Sequence, residues 1–289
     1  MEGQGQANQL TSRVSPARFR LALHTWTLDS TPLADALGAA REAGWEAVEL
    51  RRIDFTRAAA AGQSAAAVMD VVRASGLPVA CVGVELGWMW ATGAEQKRLF
   101  SVFAEQCERA AALGCPRVMS PVDKGRGDLR EAAQSLRGVG DIAARHGVHL
   151  ALEFNSQAEQ LNTLATAREL LALAGHPRCG LLLDTYHLQR SGGAPRDLDD
   201  LGAEEIFYVQ YSDVPRSGLA PGTFTDRLPP GRGCVPFREF FARLAAAGYA
   251  GDVSYEAPNP AAWKRPPGEV AREALAATRA VLPSEAGAR

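Results

Sequence analysis

Eight short runs rich in Val, Leu and Phe alternate with longer Ala-, Leu- and Arg-rich stretches of helical periodicity, and this alternation most restricts the folds open to the chain. A strand followed by a helix, repeated, calls for a parallel sheet, because each helical crossover returns the chain to the same edge. The strands are expected at Arg20–His24, Ala47–Arg51, Val79–Val84, Arg117–Ser120, His149–Phe154, Gly180–Asp184, Ile206–Tyr211 and Asp252–Glu256. Helical stretches begin near Pro32, Ser64, Ala94, Asp128, Thr163, Pro195 and Pro236, and a last one follows Pro267. Pro, or a capping Asp, Ser or Thr, suits several of these starts. Gly44, Gly76, Gly114, Gly147 and Gly248 fall just after helical stretches, where a residue without a Cβ ends a helix most easily. Eight such units without a break in composition predict a single α/β domain, a (β/α)8 barrel, rather than a doubly wound sheet. A barrel of this type needs about 250 residues. The expected division is therefore a disordered N-terminal tail over 1–17, the barrel over 18–283 and a frayed C-terminus over 284–289.

Composition excludes several classes. With 31 Lys plus Arg against 33 Asp plus Glu, the formal net charge is -2, which argues against a protein that tracks nucleic-acid phosphates. At 46% hydrophobic and 22% charged residues the chain is neither disordered nor fibrous, and it carries enough apolar material for a large core. Five cysteines form no CxxC pair and read as reduced thiols rather than a disulfide framework. The first residues lack the apolar centre of a signal peptide, and no stretch approaches the roughly 18 apolar residues of a membrane span. The expectation is a cytoplasmic protein with a small-molecule substrate and no nucleic-acid or membrane partner.

In a (β/α)8 barrel the chemistry sits where the C-terminal ends of the strands meet eight loops. The fifth strand ends LALEFN with Glu153, the sixth LLLDTYH with Asp184 and His187, the seventh FYVQYSD with Gln210, and the eighth VSYE with Glu256. Three carboxylates at one partly dry mouth repel one another unless they are protonated or share a cation. Oxygen ligands from Glu153, Asp184, Gln210 and Glu256 suit one hard divalent ion, Mn²⁺ or Mg²⁺, with Co²⁺ acceptable and zinc less suited. Four protein ligands leave two octahedral positions for a chelating hydroxy-carbonyl substrate, and the metal then acts as a Lewis acid toward an enediolate or enolate.

This pattern resembles the xylose isomerase-like TIM barrels, a superfamily that includes sugar isomerases and epimerases, hydroxypyruvate isomerase, inosose-processing enzymes, 3-dehydroshikimate dehydratase and AP endonucleases. The resemblance covers roughly residues 19 to 282 and is strongest in LALEFN, LLLDTYH, YVQYSDVPR, RLPPGRGCVPF and GYAGDVSYEAPNP. It implies that Glu153, Asp184, Gln210 and Glu256 are the metal ligands. It also implies that His187 and Arg216 contact substrate as in ketose 3-epimerases, with Glu159 as an additional polar contact, and that the protein forms a dimer or tetramer. Two residues depart from the pattern. Gln210 stands where many epimerases and inosose enzymes carry a His, and Arg232 stands where relatives commonly have an acidic residue between the glycines.

Other mouth residues are candidates on their chemistry alone. Arg51, after the second strand, offers a fork suited to a carboxylate or phosphate, or else pairs with Glu49 or Asp54. Trp26 and the Trp88–Trp90 run place aromatics on mouth loops, where Trp88 would stack on a sugar or ring. His24 ends the first strand within reach of a substrate. Asp213 either orients Arg216 or His187 or caps a loop, and the Gly- and Pro-rich segment 214–235 reads as a lid. The expected function is a metal-dependent isomerase or epimerase acting on a sugar or sugar acid. In it Glu153 and Glu256 exchange a proton beside a carbonyl while His187 polarises an oxygen. The alternative is a dehydratase of the 3-dehydroshikimate type, which shares the first step and then expels a β-hydroxyl.

Overall fold

All eight expected strands form, and in the computed structural model they close on themselves in chain order, every pair parallel. Residues 18–218 and 222–283 are described; the stretches expected as tails, 1–17 and 284–289, lie outside the described residues. The strands are β1 (Arg20–His24), β2 (Ala47–Leu50), β3 (Val79–Gly83), β4 (Arg117–Pro121), β5 (His149–Glu153), β6 (Cys179–Asp184), β7 (Ile206–Tyr211) and β8 (Asp252–Tyr255). The helices among the described residues are α1 (Leu33–Ala43), α2 (Arg52–Ala60), α3 (Ala65–Ser75), α4 (Gly93–Ala112), α5 (Leu129–Arg145), α6 (Leu164–Ala174), α7 (Thr185–Arg190), α8 (Phe237–Ala246) and α9 (Pro267–Val281). The protein is a single (β/α)8 barrel.

Two elements differ from expectation. The helix α2 follows β2 directly, one residue after Arg51, whose N–H donates to the Asp54 carboxylate at 2.7 Å and so satisfies a free end of the helix. After β6 the chain turns at once into the short α7, and the helix expected near Pro195 is only a 3-10 turn, Pro195–Leu198. Asp184 starts α7 by accepting the Tyr186 N–H at 2.8 Å, and Gly192, at φ 81°, ends it early. The glycines expected at helix ends do adopt left-handed backbone, as at Gly44 (φ 94°) and Gly76 (φ 72°).

Strand alternation divides the packing into two layers. Val48, Leu50, Leu181, Leu183, Val209 and Val253 face outward and pack with helix residues such as Leu37, Phe103, Leu136 and Phe241 in one core. Ala22, Ala47, Ala80, Ala151, Leu182, Met119 and Tyr208 form a second cluster inside the barrel. Four alanines there leave room for larger and more polar neighbours. Tyr208, Glu49 and Gln210 are fully buried, and the Tyr208 hydroxyl donates to Glu49 Oε2 at 3.1 Å. At the N-terminal end of the barrel Asp252 accepts from Arg20 and Arg117, with Arg20 Nη2 at 3.0 Å and Arg117 Nη1 at 2.9 Å, and the Arg117 guanidinium lies over the Tyr208 ring at 5.3 Å.

Asp213, just past β7, anchors the long loop that follows. Its carboxylate accepts the N–H groups of Val214 (2.9 Å), Gly233 (2.6 Å) and Val235 (2.9 Å), and its backbone pairs with Leu228. A side chain at 233 is excluded, because its Cβ would lie 2.0 Å from the Val214 carbonyl oxygen. Of its two expected roles, Asp213 takes that of loop cap.

Candidate active site

The C-terminal ends of the strands surround a cavity of about 490 Å³. Glu153 and Glu256 line it, with Asp184 and Gln210 buried on the intervening strands β6 and β7; each of the four stands within one residue of its strand's end and is less than a tenth exposed. Neighbouring strands set the spacing, since Asp184 stands beside Gln210 and Gln210 beside Ser254 in the sheet register.

A guanidinium that the sequence reading passed over lies among these carboxylates. Arg227 Nη1 donates to Asp184 Oδ2 at 2.7 Å and to Glu256 Oε2 at 2.8 Å, and the group lies over the Tyr186 ring at 4.3 Å. Arg216, the arginine expected to contact substrate, is exposed and does not line the cavity. Arg216 stands six residues after Gln210 and five past the end of β7, where the chain has left the mouth. The returning limb of the loop, bridged to Asp213 at Leu228, brings Arg227 back. Its approach is held by Tyr186, whose hydroxyl donates to Asp226 at 2.6 Å, and by Gln157 Nε2, which donates to the Thr223 carbonyl at 3.2 Å.

Glu256 is also faced by His24. The Trp26 N–H donates to His24 Nδ1 at 3.0 Å, so Nδ1 carries no proton and the neutral ring presents Nε2–H to Glu256 Oε1 at 3.3 Å. Burial, with Arg51 and Arg227 nearby, holds His24 well below the usual histidine range. His187 is held at both ring nitrogens. Ser156 faces its Nδ1, with the N–H at 3.2 Å and Oγ at 2.9 Å, and Arg227 Nη2, which can only donate, lies 3.3 Å from Nε2; Nε2 is also 3.9 Å from both Glu153 Oε1 and Asp184 Oδ2. Burial lowers His187 to about 3 even though Asp184 pulls the other way. Both histidines are therefore neutral at neutral pH.

The carboxylates remain under-compensated. Burial raises Glu153 well above the ordinary carboxylate range, and Asp184 and Glu256 add to the rise. Burial also pushes Glu256 up to about 7, against the pull of Arg227. Glu153 Oε1 and Gln210 Oε1 are buried and have no hydrogen-bond partner. One guanidinium against three carboxylates leaves room for a divalent charge. Ligand atoms of Glu153, Asp184 and His187 lie within 4.8 Å of one another, the spacing of a group able to hold an ion. The two unpartnered oxygens and the surplus of negative charge fit a hard cation.

A model of the xylose isomerase-like TIM barrel matches residues 37–281. The chain belongs to that family. Among known members it is 24% identical over 263 residues to an inosose isomerase of Bacillus velezensis, covering 89% of this chain and 94% of that one. It is 33% identical to a 3-dehydroshikimate dehydratase of Pseudomonas aeruginosa over 126 residues, a segment that covers 43% of this chain and about a fifth (20%) of that longer protein. In structure it resembles the IolI protein solved with a bound zinc atom, at TM-score 0.81 and 21% identity over 91% of this chain and 98% of that one.

The remaining candidates of this family member divide clearly. Arg51 lines the cavity but is tied to Asp29, lies 3.7 Å from Asp54 and stacks over Trp26 at 5.7 Å, so much of its charge is already engaged. Trp88 does not reach the mouth. It is 1% exposed, packs against Phe103 and donates to Ser120 Oγ at 3.0 Å, because Asp123 draws its loop inward by accepting the N–H groups of Gly87 and Met89. The aromatic wall is instead Trp26 with Phe224, ring centroids 5.7 Å apart, and Lys124 Nζ lies 5.4 Å from the Phe224 ring. Glu159 points to solvent, 3.8 Å from Arg126, and Arg232 is exposed outside the cavity. Glu49 was not singled out as a site residue, yet it accepts from Gln210 Nε2 at 2.8 Å and is pushed up to about 8 by burial and by Glu256. Its signal was a charged residue between apolar neighbours in AVEL, which must face a partner inside the barrel.

Proposed function

We infer that the protein is a divalent-metal-dependent enzyme that moves a proton at the carbon next to a carbonyl in a small hydroxy-carbonyl compound, a sugar or sugar acid, and so isomerises or epimerises it. The observation that carries this reading is the set of three buried carboxylates with the unpartnered oxygens of Glu153 and Gln210 beside them. Mn²⁺ or Mg²⁺ held by Glu153, Asp184, Gln210 and Glu256 supplies Lewis-acid polarisation of the substrate carbonyl.

The side chains divide the remaining work. Glu153 takes the proton from carbon through the carboxylate oxygen that is not given to the cation. Glu256 is fixed by Arg227 and His24 and returns a proton from a different strand, so that the configuration at carbon changes. His187, held by Ser156 at Nδ1 and by Arg227 at Nε2, stands beside Glu153 and Asp184 and polarises a substrate oxygen. Arg227 keeps Asp184 and Glu256 apart and oriented, and Trp26 with Phe224 covers the apolar face of the ligand. Similarity to an inosose isomerase across nearly the whole chain supports this reading.

A dehydratase is the second reading. The local identity to 3-dehydroshikimate dehydratases favours it, and so do the cationic groups of Arg52 and Lys124 on the cavity wall, which suit a carboxylate. Proton NMR of the Mn²⁺- or Mg²⁺-supplied protein in D2O separates the two, with ketoses, hydroxypyruvate, inosose and 3-dehydroshikimate as candidates. Deuterium at a carbon next to the carbonyl, with a new isomer, supports the first. New vinylic or aromatic signals support the second. Absence of exchange in every substrate that binds contradicts both.

A further inference from the structure

We propose that Glu49 is a positioning residue that sets which end of the Gln210 amide faces the cation site. This rests on the reading of Gln210 as a ligand. An amide can bind a cation only through its oxygen, and a glutamine side chain offers oxygen and nitrogen ends of almost the same shape. Something must choose between them.

Glu49 lies on the far side of the amide from the other carboxylates' open face. Its Oε1 accepts Gln210 Nε2–H at 2.8 Å, and its Oε2 accepts the Tyr208 hydroxyl at 3.1 Å. Both oxygens thus receive protons, and the geometry assigns the NH2 end of Gln210 to Glu49. The other end, Oε1, is left buried and without a partner. Reversing the amide would give up the Nε2–H bond to Glu49 Oε1 and turn two N–H groups toward the cation's place. The interior alanines Ala47 and Ala22 leave the space in which Glu49 sits, and it is 0% exposed, so water cannot substitute for it as acceptor. His24 does not serve the same end. Its single proton-bearing nitrogen, 3.7 Å from Glu49 Oε1, is nearer to Glu256.

The test is a Mn²⁺ titration of the metal-stripped full-length protein, read by the electron paramagnetic resonance of free Mn²⁺ and requiring no substrate. Wild type, Asp184→Asn, Gln210→Leu, Glu49→Leu, Glu49→Gln and the double variant Glu49→Leu/Gln210→Leu are compared, with circular dichroism to confirm folding. Glu49→Leu should weaken binding at least tenfold and about as far as Gln210→Leu, and the double variant should be no weaker than Gln210→Leu alone. Glu49→Gln should stay within about threefold of wild type, because its carbonyl still accepts from Gln210 while the Tyr208 hydroxyl turns to accept from the new amide. If Glu49→Leu binds as wild type does, or the losses add in the double variant, the positioning role is wrong. Should Glu49→Leu not fold, Glu49→Gln decides: a loss as large as that of Gln210→Leu would mean that the charge of Glu49, and not its acceptance from the amide, sets affinity. If wild type itself binds no Mn²⁺ that Asp184→Asn abolishes, the metal reading of the site falls, and this proposal with it.

Discussion

The two ends of the barrel both bury ions, with opposite bookkeeping. At the N-terminal end one carboxylate, Asp252, faces two guanidinium groups, and Arg20 is 42% exposed, so the excess charge reaches water. At the C-terminal end three carboxylates face Arg227, which is 3% exposed, and two acceptor oxygens remain unpartnered. The same kind of interaction therefore serves two purposes. A compensated network holds strands together, whereas an under-compensated one is incomplete until something positive binds.

The sharpest way to break this comparison is to change one acid at each end. Glu153→Gln should lower turnover by about 10²- to 10⁴-fold, the range for a lost general base, while leaving stability unchanged or raised because a buried charge with an unpartnered oxygen disappears. Turnover of an exchanging substrate and a urea unfolding curve on the same samples check both halves. Arg227→Met should destabilise the metal-free protein by about 3–5 kcal/mol, since Asp184 and Glu256 lose their shared partner. Added Mn²⁺ should then raise its melting temperature more than it raises that of wild type. Equal shifts in the two proteins would mean that the guanidinium and the cation do not share the work of neutralisation.

Asp252→Asn should cost about 2–4 kcal/mol, less than a fully buried pair because Arg20 can turn to water, and should leave Mn²⁺ affinity as it was. A change in that affinity would show the two ends to be coupled through Tyr208 and Glu49. The smallest effect belongs to Asp29, which pairs with Arg51 and Arg57. Burial raises its proton affinity, but hydrogen bonds from Arg57 and Arg51 outweigh this and hold it below the ordinary carboxylate range. A depressed carboxylate stabilises the fold above its unfolded-state titration and loses that contribution as pH falls through its folded one. Asp29→Asn should therefore cost no more than about 1 kcal/mol at neutral pH, and the difference from wild type should shrink in acid, below the ordinary carboxylate range. Unfolding curves at neutral and acid pH would show it.

The site was legible in the sequence wherever a strand pattern reports orientation. LALEFN, LLLDTYH and VSYE each run apolar and then break to an acid at the rim, so Glu153, Asp184 and Glu256 could be placed from period and direction alone. Glu49 was missed as a site residue because it lies inside the barrel in mid-strand, where it reads as an anomaly of β2 rather than as a rim residue. Arg227 was missed for a different reason. It comes from a loop with no periodicity, and a spacing rule carried across that loop selects Arg216, which the extra length leaves in solvent. Trp88 shows the same limit, since nothing in GWMW reports that Asp123 folds its loop back into the core.

Glu153, Asp184, Gln210 and Glu256 are proposed to hold one divalent cation at the mouth. Crystals grown with Mn²⁺ and measured near the manganese absorption edge test it most directly. A single anomalous peak is expected, touching Glu153 Oε1 and Gln210 Oε1, with Asp184 and Glu256 alongside. A map with no peak there, and Arg227 still spanning Asp184 and Glu256 as the only positive group, would contradict it.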